Sequence, residues 1–483
     1  MQLAIWKPLI AVSLFGLACG STKVPDAPID PRAPTPPEWD RQVARPDDAT
    51  AATKRSSCGF ARGAMPAETL GTSSPVDADI PIKTVVVLMM ENRSFDSYYS
   101  HLNAFGNRTD IEVAPDGVTN PDAMGMPHAR KHAEHYCFSD TNHEWVGTHE
   151  EVNGGKMDGF FMANQGKDAT NPLEDGARAL WFYDETEIPF YYALANTFGI
   201  ADHYHAPLQG PTWPNRMYLY SATSFGRTSN ALPDITAFPY PDSDAMIFDE
   251  LEKRHIDWNI YGDGSIGAAI VASTHIVNRW GADRAPVLRI ADFYAAAEAG
   301  TLPPVVFLDP KLGMEGPAQN DEHPPADLQL GEKFSSDIVQ ALMKSPQWKD
   351  LALFITYDEH GGLYDHVVPP KACPPDDKAP IFDPGDPTAP GVFDQEGVRV
   401  PLLVVSPYAK KGFVSHVTYD HASITRFIET KFKVPALTGR DANADPLLDF
   451  FDFKNPPFVT PPSLPDAPVN QAEADYCKAT FAK

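Results

Sequence analysis

Four short runs stand out because apolar residues follow one another almost without interruption: Lys83–Met90 (KTVVVLMM), Pro304–Leu308 (PVVFL), Leu351–Tyr357 (LALFITY) and Val400–Ser406 (VPLLVVS). Each is short and rich in β-forming residues. Runs of this kind, without polar–apolar alternation, predict parallel strands covered on both faces. Between the second and third, Gly331–Lys344 spaces Phe334, Ile338, Val339, Leu342 and Met343 at a helical period. That spacing predicts an amphipathic helix packed on the sheet. Strand–helix–strand order predicts a doubly wound α/β sandwich. Two stretches break the pattern. Residues 371–396, rich in Pro and Asp, predict a long surface loop, and the Pro-rich chain after Pro456 predicts a tail wrapped over the surface.

The first residues follow another rule. Lys7 precedes an apolar run, Pro8 to Ala18, that ends at Cys19. The run falls well short of the ~20 residues that span a bilayer, so it reads as an export signal. A cysteine directly after Leu17-Ala18 resembles a bacterial lipoprotein signal, with Cys19 as the lipidated residue; an ordinary signal cut nearby is the alternative. Either way the chain is expected outside the cytoplasm, in the cell envelope or secreted. The following VPDAPIDPRAPTPPEWDRQ reads as an extended tether. The chain thus divides into a signal peptide (1–18), a tether and N-terminal extension (19–80), a catalytic domain (81–457) and a tail (458–483). Cys58, Cys137, Cys373 and Cys477 remain, with no CxxC pair. In an exported chain they predict two disulfides, in any of three connectivities.

Charge narrows the partners. The 483 residues carry 39 Lys and Arg against 65 Asp and Glu, a formal charge of −26. That argues against a nucleic-acid binder, which needs a basic face. It also argues against docking by a polybasic membrane patch, so membrane attachment is expected only through a lipid on Cys19.

In an open α/β sheet, ligands bind beyond the carboxyl ends of the strands. The first apolar run leads into Glu91-Asn92-Arg93-Ser94-Phe95-Asp96, the third into Asp358-Glu359-His360-Gly361-Gly362 and then Asp365-His366. Hard oxygen ligands at two neighbouring strand ends can converge on one cation. For either motif alone, a cap or ion-pair cluster is the ordinary alternative. Thr212, in Gly210-Pro211-Thr212-Trp213-Pro214-Asn215-Arg216, sits where a turn opens into a predicted helix. Exposed N–H groups and a positive dipole end favour a phosphoryl group there. His323, in Asp321-Glu322-His323-Pro324-Pro325, can bind phosphate oxygens or protonate a leaving group. His143 and His421 are further candidates among 15 histidines.

Together these motifs resemble the bacterial phosphoesterase family of non-haemolytic-type phospholipases C and secreted acid phosphatases. The matching pieces, VVVLMMENRSFDSYYSHL, NGGKMDGFF, ADHYHAPLQGPTWPNRMYLYSA, NDEHPPADLQLGEKF, TYDEHGGLYDHVVPP, RVPLLVVSPYAKKG and YDHASITRFIE, follow one another in family order. The resemblance implies an alkaline-phosphatase-like fold: a three-layer α/β/α sandwich around a mostly parallel sheet. It implies one divalent metal held by Glu91 and Asn92 from one side and by Asp358 and Glu359 from the other. Ca, Mg, Mn or Fe is favoured over a thiolate-held Zn. Thr212 takes the place of the nucleophile and also meets the metal. His323 and His143 take catalytic roles, and His360, Asp365 and His366 orient the ligands. The expected substrate is a phosphate ester, with a phospholipid favoured and a phosphomonoester as the alternative. No C/S-x-P-x-R motif supports a sulfatase. A catalytically silent lipoprotein that binds a ligand is the reading from another class; five separated polar groups, Glu91, Asn92, Thr212, Asp358 and Glu359, speak against it.

Overall fold

Val, Leu and Met make up most of the first strand, β1 (Thr84–Met90), and all seven residues are buried. Burial of successive residues requires cover on both faces of the sheet. The same holds for β5 (Val305–Asp309), β6 (Leu351–Tyr357) and β7 (Leu402–Val405). The sheet is completed by β2 (Gly199–Ala201), β3 (Trp258–Gly262), β4 (Val287–Leu288) and β8 (Phe413–Ser415). The computed structural model describes residues 33–166, 176–230, 246–263, 287–312, 316–382 and 391–481. Its main sheet has the order β8-β2-β7-β6-β1-β5-β3-β4.

Every neighbouring pair is parallel except those involving β7, which runs against both β6 and β2. The run Val400–Ser406 is therefore a buried strand, but not the parallel one its composition predicts. The reason is connectivity. Among the described residues between β6 and β7 no helix carries the chain back across the sheet. A strand re-entering from the edge where the previous one left must be antiparallel. Burial on both faces produces the same apolar run in either direction.

Helices cover the two faces. Thr212–Ser221 packs with His421–Phe432 and Ile247–Lys253; Leu328–Lys344 packs with Ile290–Ala299 and Pro189–Thr197. The result is the expected three-layer sandwich. Leu328–Lys344 starts three residues before the predicted Gly331, because Asp327 caps it by accepting a hydrogen bond from the Gln329 N–H at 2.9 Å.

The predicted tether does not stay extended to its end. Pro37–Asp40 forms a single 3-10 turn, and Trp39 is buried against the main core. Disulfides join Cys58 to Cys373 and Cys137 to Cys477. The second pins the C-terminal helix Gln471–Phe481 to the body. The predicted loop 371–396 holds no helix or strand among its described residues; 383–390 lie outside them, as do residues 1–32 with the predicted export signal and Cys19. No helix among the described residues is long and apolar enough to cross a membrane.

Candidate active site

β1 and β6 pair in register from Thr84↔Leu351 to Met90↔Tyr357. The two motifs that follow them must therefore leave the same sheet edge side by side. The Asp358 N–H donates to the Met90 carbonyl at 3.2 Å and the Arg93 N–H to the Glu359 carbonyl at 3.1 Å. The Asp358 carboxylate accepts from the N–H groups of Asn92, at 3.3 Å, and Glu359, at 2.8 Å. β5 pairs with β1 up to Leu308↔Leu88, so its last residue, Asp309, reaches the same edge.

The turn after β6 depends on glycine. Gly361 has φ +65°, and a Cβ there would lie 2.6 Å from the Asn92 carbonyl oxygen. Asn92 itself has φ +63°, a conformation that Asn tolerates better than most residues. The ENRSFD and DEHGG turns thus press against each other with no room for a side chain between them.

The helix Thr212–Ser221 begins after Pro211 as N-cap, with Thr212 buried. Asn215 fixes the turn: its side-chain amide donates to the Gly210 and Pro211 carbonyls at 2.6 and 3.1 Å, while its oxygen accepts from the Leu208 N–H at 3.1 Å. One turn beyond Thr212 on the same helix face lies Arg216, fully buried. Its guanidinium contacts Glu91 at 3.1 Å, Asp358 at 3.1 Å and Asp309 at 3.3 Å. The sequence motif contains Arg216, but nothing in the sequence assigns it this central position. Asp309 was equally unmarked, although it shares the signature of Glu91 and Asp358: an acid directly after an apolar strand.

Buried acids outnumber the cations facing them. Burial pushes Glu91 and Asp358 up; Arg216 opposes the shift, and repulsion from Glu359 adds to it. Glu359 moves the other way: burial would raise it, but His143 and His360 hold it down. Both polar atoms of the Asn92 amide, and Oε1 of Glu359, are buried without a hydrogen-bond partner. Orphaned oxygens beside excess negative charge fit a hard divalent cation. Glu91, Asp358 and Glu359 do not themselves form a compact triad; among the described residues those are Asp140–His143–His323, Asp96–Asp365–His366 and His132–Asp184–Glu187. Arg216 contacts both Glu91 and Asp358.

His143 and His323 share the cleft, their rings 5.6 Å apart, edge to face. His143 Nε2 lies 4.0 Å from Glu359 Oε1, and His323 Nε2 lies 4.0 Å from Asp140. Burial lowers the basicity of His323, but Asp140, Glu91 and Asp321 outweigh it and lift its pKa to about 9. Its neighbour Glu322 is clamped by the hydroxyls of Tyr98, Tyr191 and Tyr357, at 2.6, 2.7 and 2.8 Å, which fixes the segment.

The remaining expected residues divide. His360 does support the site: its Nδ1 lies 3.4 Å from Glu359 and its Nε2 2.7 Å from Glu151, a buried acid the sequence did not mark. Asp365 and His366 instead gather around Arg399 and Asp96. Arg399 donates to Asp96 at 3.0 Å and to Asp365 at 2.9 Å, and His366 Nδ1 sits 2.6 Å from Asp96. These groups tie the first motif to the third. His421 donates from Nε2 to the Asp358 carbonyl at 2.8 Å, and burial lowers its pKa to about 3, so it stays neutral.

The sequence profile of the Phosphoesterase family matches residues 82–435, which contain every residue of this cleft. The chain belongs to that family. Its cleft is that of a phosphoric ester hydrolase. Among the family's named members, the chain is 31% identical to non-specific phospholipase C1 of Arabidopsis thaliana over 81% of this chain and 75% of that one. It is 30% identical to phospholipase C B of Mycobacterium tuberculosis over 80% of this chain and 81% of that one. With the non-hemolytic phospholipase C of Pseudomonas aeruginosa it shares 30% identity over 81% of this chain but 60% of that longer one. A solved alkaline phosphatase superfamily protein from Vibrio parahaemolyticus is a remote likeness: 11% identical over 72% of this chain and 76% of that one, with a TM-score of 0.34.

Proposed function

We propose that the chain is an exported, metal-dependent phosphodiesterase of the phospholipase C type, with Thr212 as its nucleophile. The observation that carries the reading is the helix Thr212–Ser221. It places Thr212, buried, one turn from Arg216, whose guanidinium touches Glu91, Asp358 and Asp309. The relatives named phospholipase C favour a phosphodiester over a phosphomonoester. The two disulfides fit an oxidising compartment.

A divalent cation on Glu91, Asn92, Asp358 and Glu359 supplies, when bound, positive charge to the phosphoryl oxygens. Thr212 Oγ1 loses its proton to water in the cleft and attacks phosphorus. The bond from phosphorus to the alcohol oxygen breaks, leaving the phosphorylated headgroup joined to Thr212 Oγ1. His323, protonated at neutral pH, gives its proton to the departing alcohol oxygen. It then takes a proton from the water that attacks phosphorus; the bond to Thr212 Oγ1 breaks, and water in the cleft returns a proton to that oxygen. His143 and His360 hold Glu359 in its ionised form.

Hydrolysis of p-nitrophenylphosphorylcholine and p-nitrophenyl phosphate, side by side and with or without a chelator, tests the reading. Faster turnover of the choline diester, lost with chelator and regained with added metal, is expected. A preference for the monoester would move the chain to the acid phosphatase side of the family. Replacing Cys19 by Ser tests the anchor: the protein should leave the membrane fraction. A parent chain already found wholly outside the cell would rule out lipidation.

A further inference from the structure

Away from the cleft, three chain segments bring two imidazoles and two carboxylates together. His101 sits between the short helices Phe95–Tyr99 and Leu102–Phe105. His132 ends a two-residue strand, Lys131–His132, paired in parallel with Trp181–Phe182. Asp184 and Glu187 belong to the turn that leads from this pair into the helix Pro189–Thr197. Asp184 Oδ2 lies 3.5 Å from His101 Nδ1 and 3.4 Å from His132 Nε2. His132 Nε2 lies 3.1 Å from Glu187 Oε2.

These separations have a meaning. Four ligands at the ~2.0–2.1 Å bond lengths of Zn2+, arranged as a tetrahedron, lie about 3.3 Å from one another. The His132–Asp184 and His132–Glu187 contacts, 3.4 and 3.1 Å, have the lengths of edges of such a tetrahedron, and the ligand atoms of His132, Asp184 and Glu187 all lie within 4.8 Å of one another; His101 stands beside this group, 3.5 Å from Asp184. The oxygens not facing the centre are already engaged. The Thr186 hydroxyl donates to Asp184 Oδ1 and contacts Glu187 Oε1, each at 2.7 Å, and the Thr186 N–H donates to Asp184 Oδ1 at 2.8 Å. Outer hydrogen bonds of this kind orient metal ligands before the ion arrives. The Asp184 N–H also donates to Glu187 Oε2 at 3.0 Å, which fixes that oxygen. Both imidazoles pack against the Phe182 ring, at 5.0 and 5.5 Å. Glu187 is nearly buried while the two histidine side chains are 45% and 42% exposed, which leaves solvent access on the imidazole side.

We propose that His132 Nε2, Asp184 Oδ2 and Glu187 Oε2 form a metal site separate from the catalytic cleft, which takes a transition-metal dication such as Zn2+, with His101 beside it on Asp184. Mixed nitrogen and oxygen donors suit Zn2+ over Ca2+ or Mg2+, which prefer oxygen alone. Three protein ligands leave a fourth position to water on the exposed imidazole side. The site ties the turn before the helix Pro189–Thr197 to the strand Lys131–His132.

The test is a difference measurement on the full protein stripped with chelator. Zn2+ alone is titrated calorimetrically into the parent and into the His101→Gln/His132→Gln double variant, and bound metal is then counted by mass spectrometry. The variant is expected to bind one equivalent fewer and to lose the part of the Zn2+-induced rise in Tm that belongs to this site. Its phosphodiester turnover at saturating metal should stay within about twofold of the parent. Should the double variant fold poorly by circular dichroism, Thr186→Val keeps all three ligands; it should weaken this Zn2+ affinity about 10–100-fold. Equal Zn2+ stoichiometry and equal Tm shifts in parent and double variant overturn the proposal and leave a cluster of histidine–carboxylate ion pairs. An unchanged affinity in Thr186→Val overturns it equally.

Discussion

Arg216 shows how one side chain can organise a cleft whose other members came from separate motifs. It is fully buried and meets three carboxylates. Removing one partner of such a group leaves uncompensated charge and costs roughly 3–5 kcal/mol. Arg216→Met should therefore lower stability by about that amount, read as a shift in the urea midpoint, with turnover falling in parallel. Thr212 behaves differently, because its role under the proposed reading is chemical. Thr212→Ala should cut turnover by ~10³-fold or more at nearly unchanged Tm and metal content. Thr212→Ser keeps the attacking oxygen and should retain measurable activity. Near-normal turnover in Thr212→Ala would transfer the attack to water. The residues legible in the sequence were those inside long specific motifs: Glu91, Asn92, Thr212, His323, Asp358, Glu359. Arg216, Asp309 and Glu151 were not, because their importance lies in which partners the fold brings to them. Asp365 and His366 look like site residues on paper because they follow DEHGG. The fold uses them, through Arg399, to hold two turns together.

Among the elements, the register of β1 on β6 does most to build the site. It brings two acidic turns off one edge at one height. Gly361 is the hinge of that contact. A methyl group there would meet the Asn92 carbonyl at 2.6 Å in a left-handed backbone. Gly361→Ala should cost at least ~1–3 kcal/mol and displace Asn92, so both the denaturation midpoint and turnover should fall; retention of both would mean that the turns are not in contact. The central strands and the Leu328–Lys344 helix were legible because burial writes itself into apolar runs and helical spacing. Strand direction was not, as β7 shows. An apolar run reports that both faces are covered, whereas direction follows from where the chain re-enters the sheet. The short strands β2, β4 and β8 have too few residues to show any period.

For the molecule as a whole, buried acids set a pH dependence. Burial lifts Glu322 to about 7 and Glu332 to about 8, and repulsion between them adds to the shift of Glu332. A carboxyl raised in the fold binds its proton more tightly there than in the unfolded chain. Its contribution is complete below about pH 4.5 and is lost as the pH rises through 7 to 8. The protein should therefore lose Tm between pH 5 and 8.5, and Glu332→Gln should lose less over the same range; equal slopes would mean that Glu332 does not titrate there. A second consequence lies in the order of the four cysteines. The loops closed by Cys58–Cys373 and Cys137–Cys477 overlap rather than nest. A protease that nicks the chain anywhere from 59 to 476 therefore cuts inside at least one loop, and the pieces stay covalently one molecule. A nicked sample should run as a single band until thiol is added and then fall into fragments. For a chain exported as proposed, a cut loop need not mean a lost enzyme.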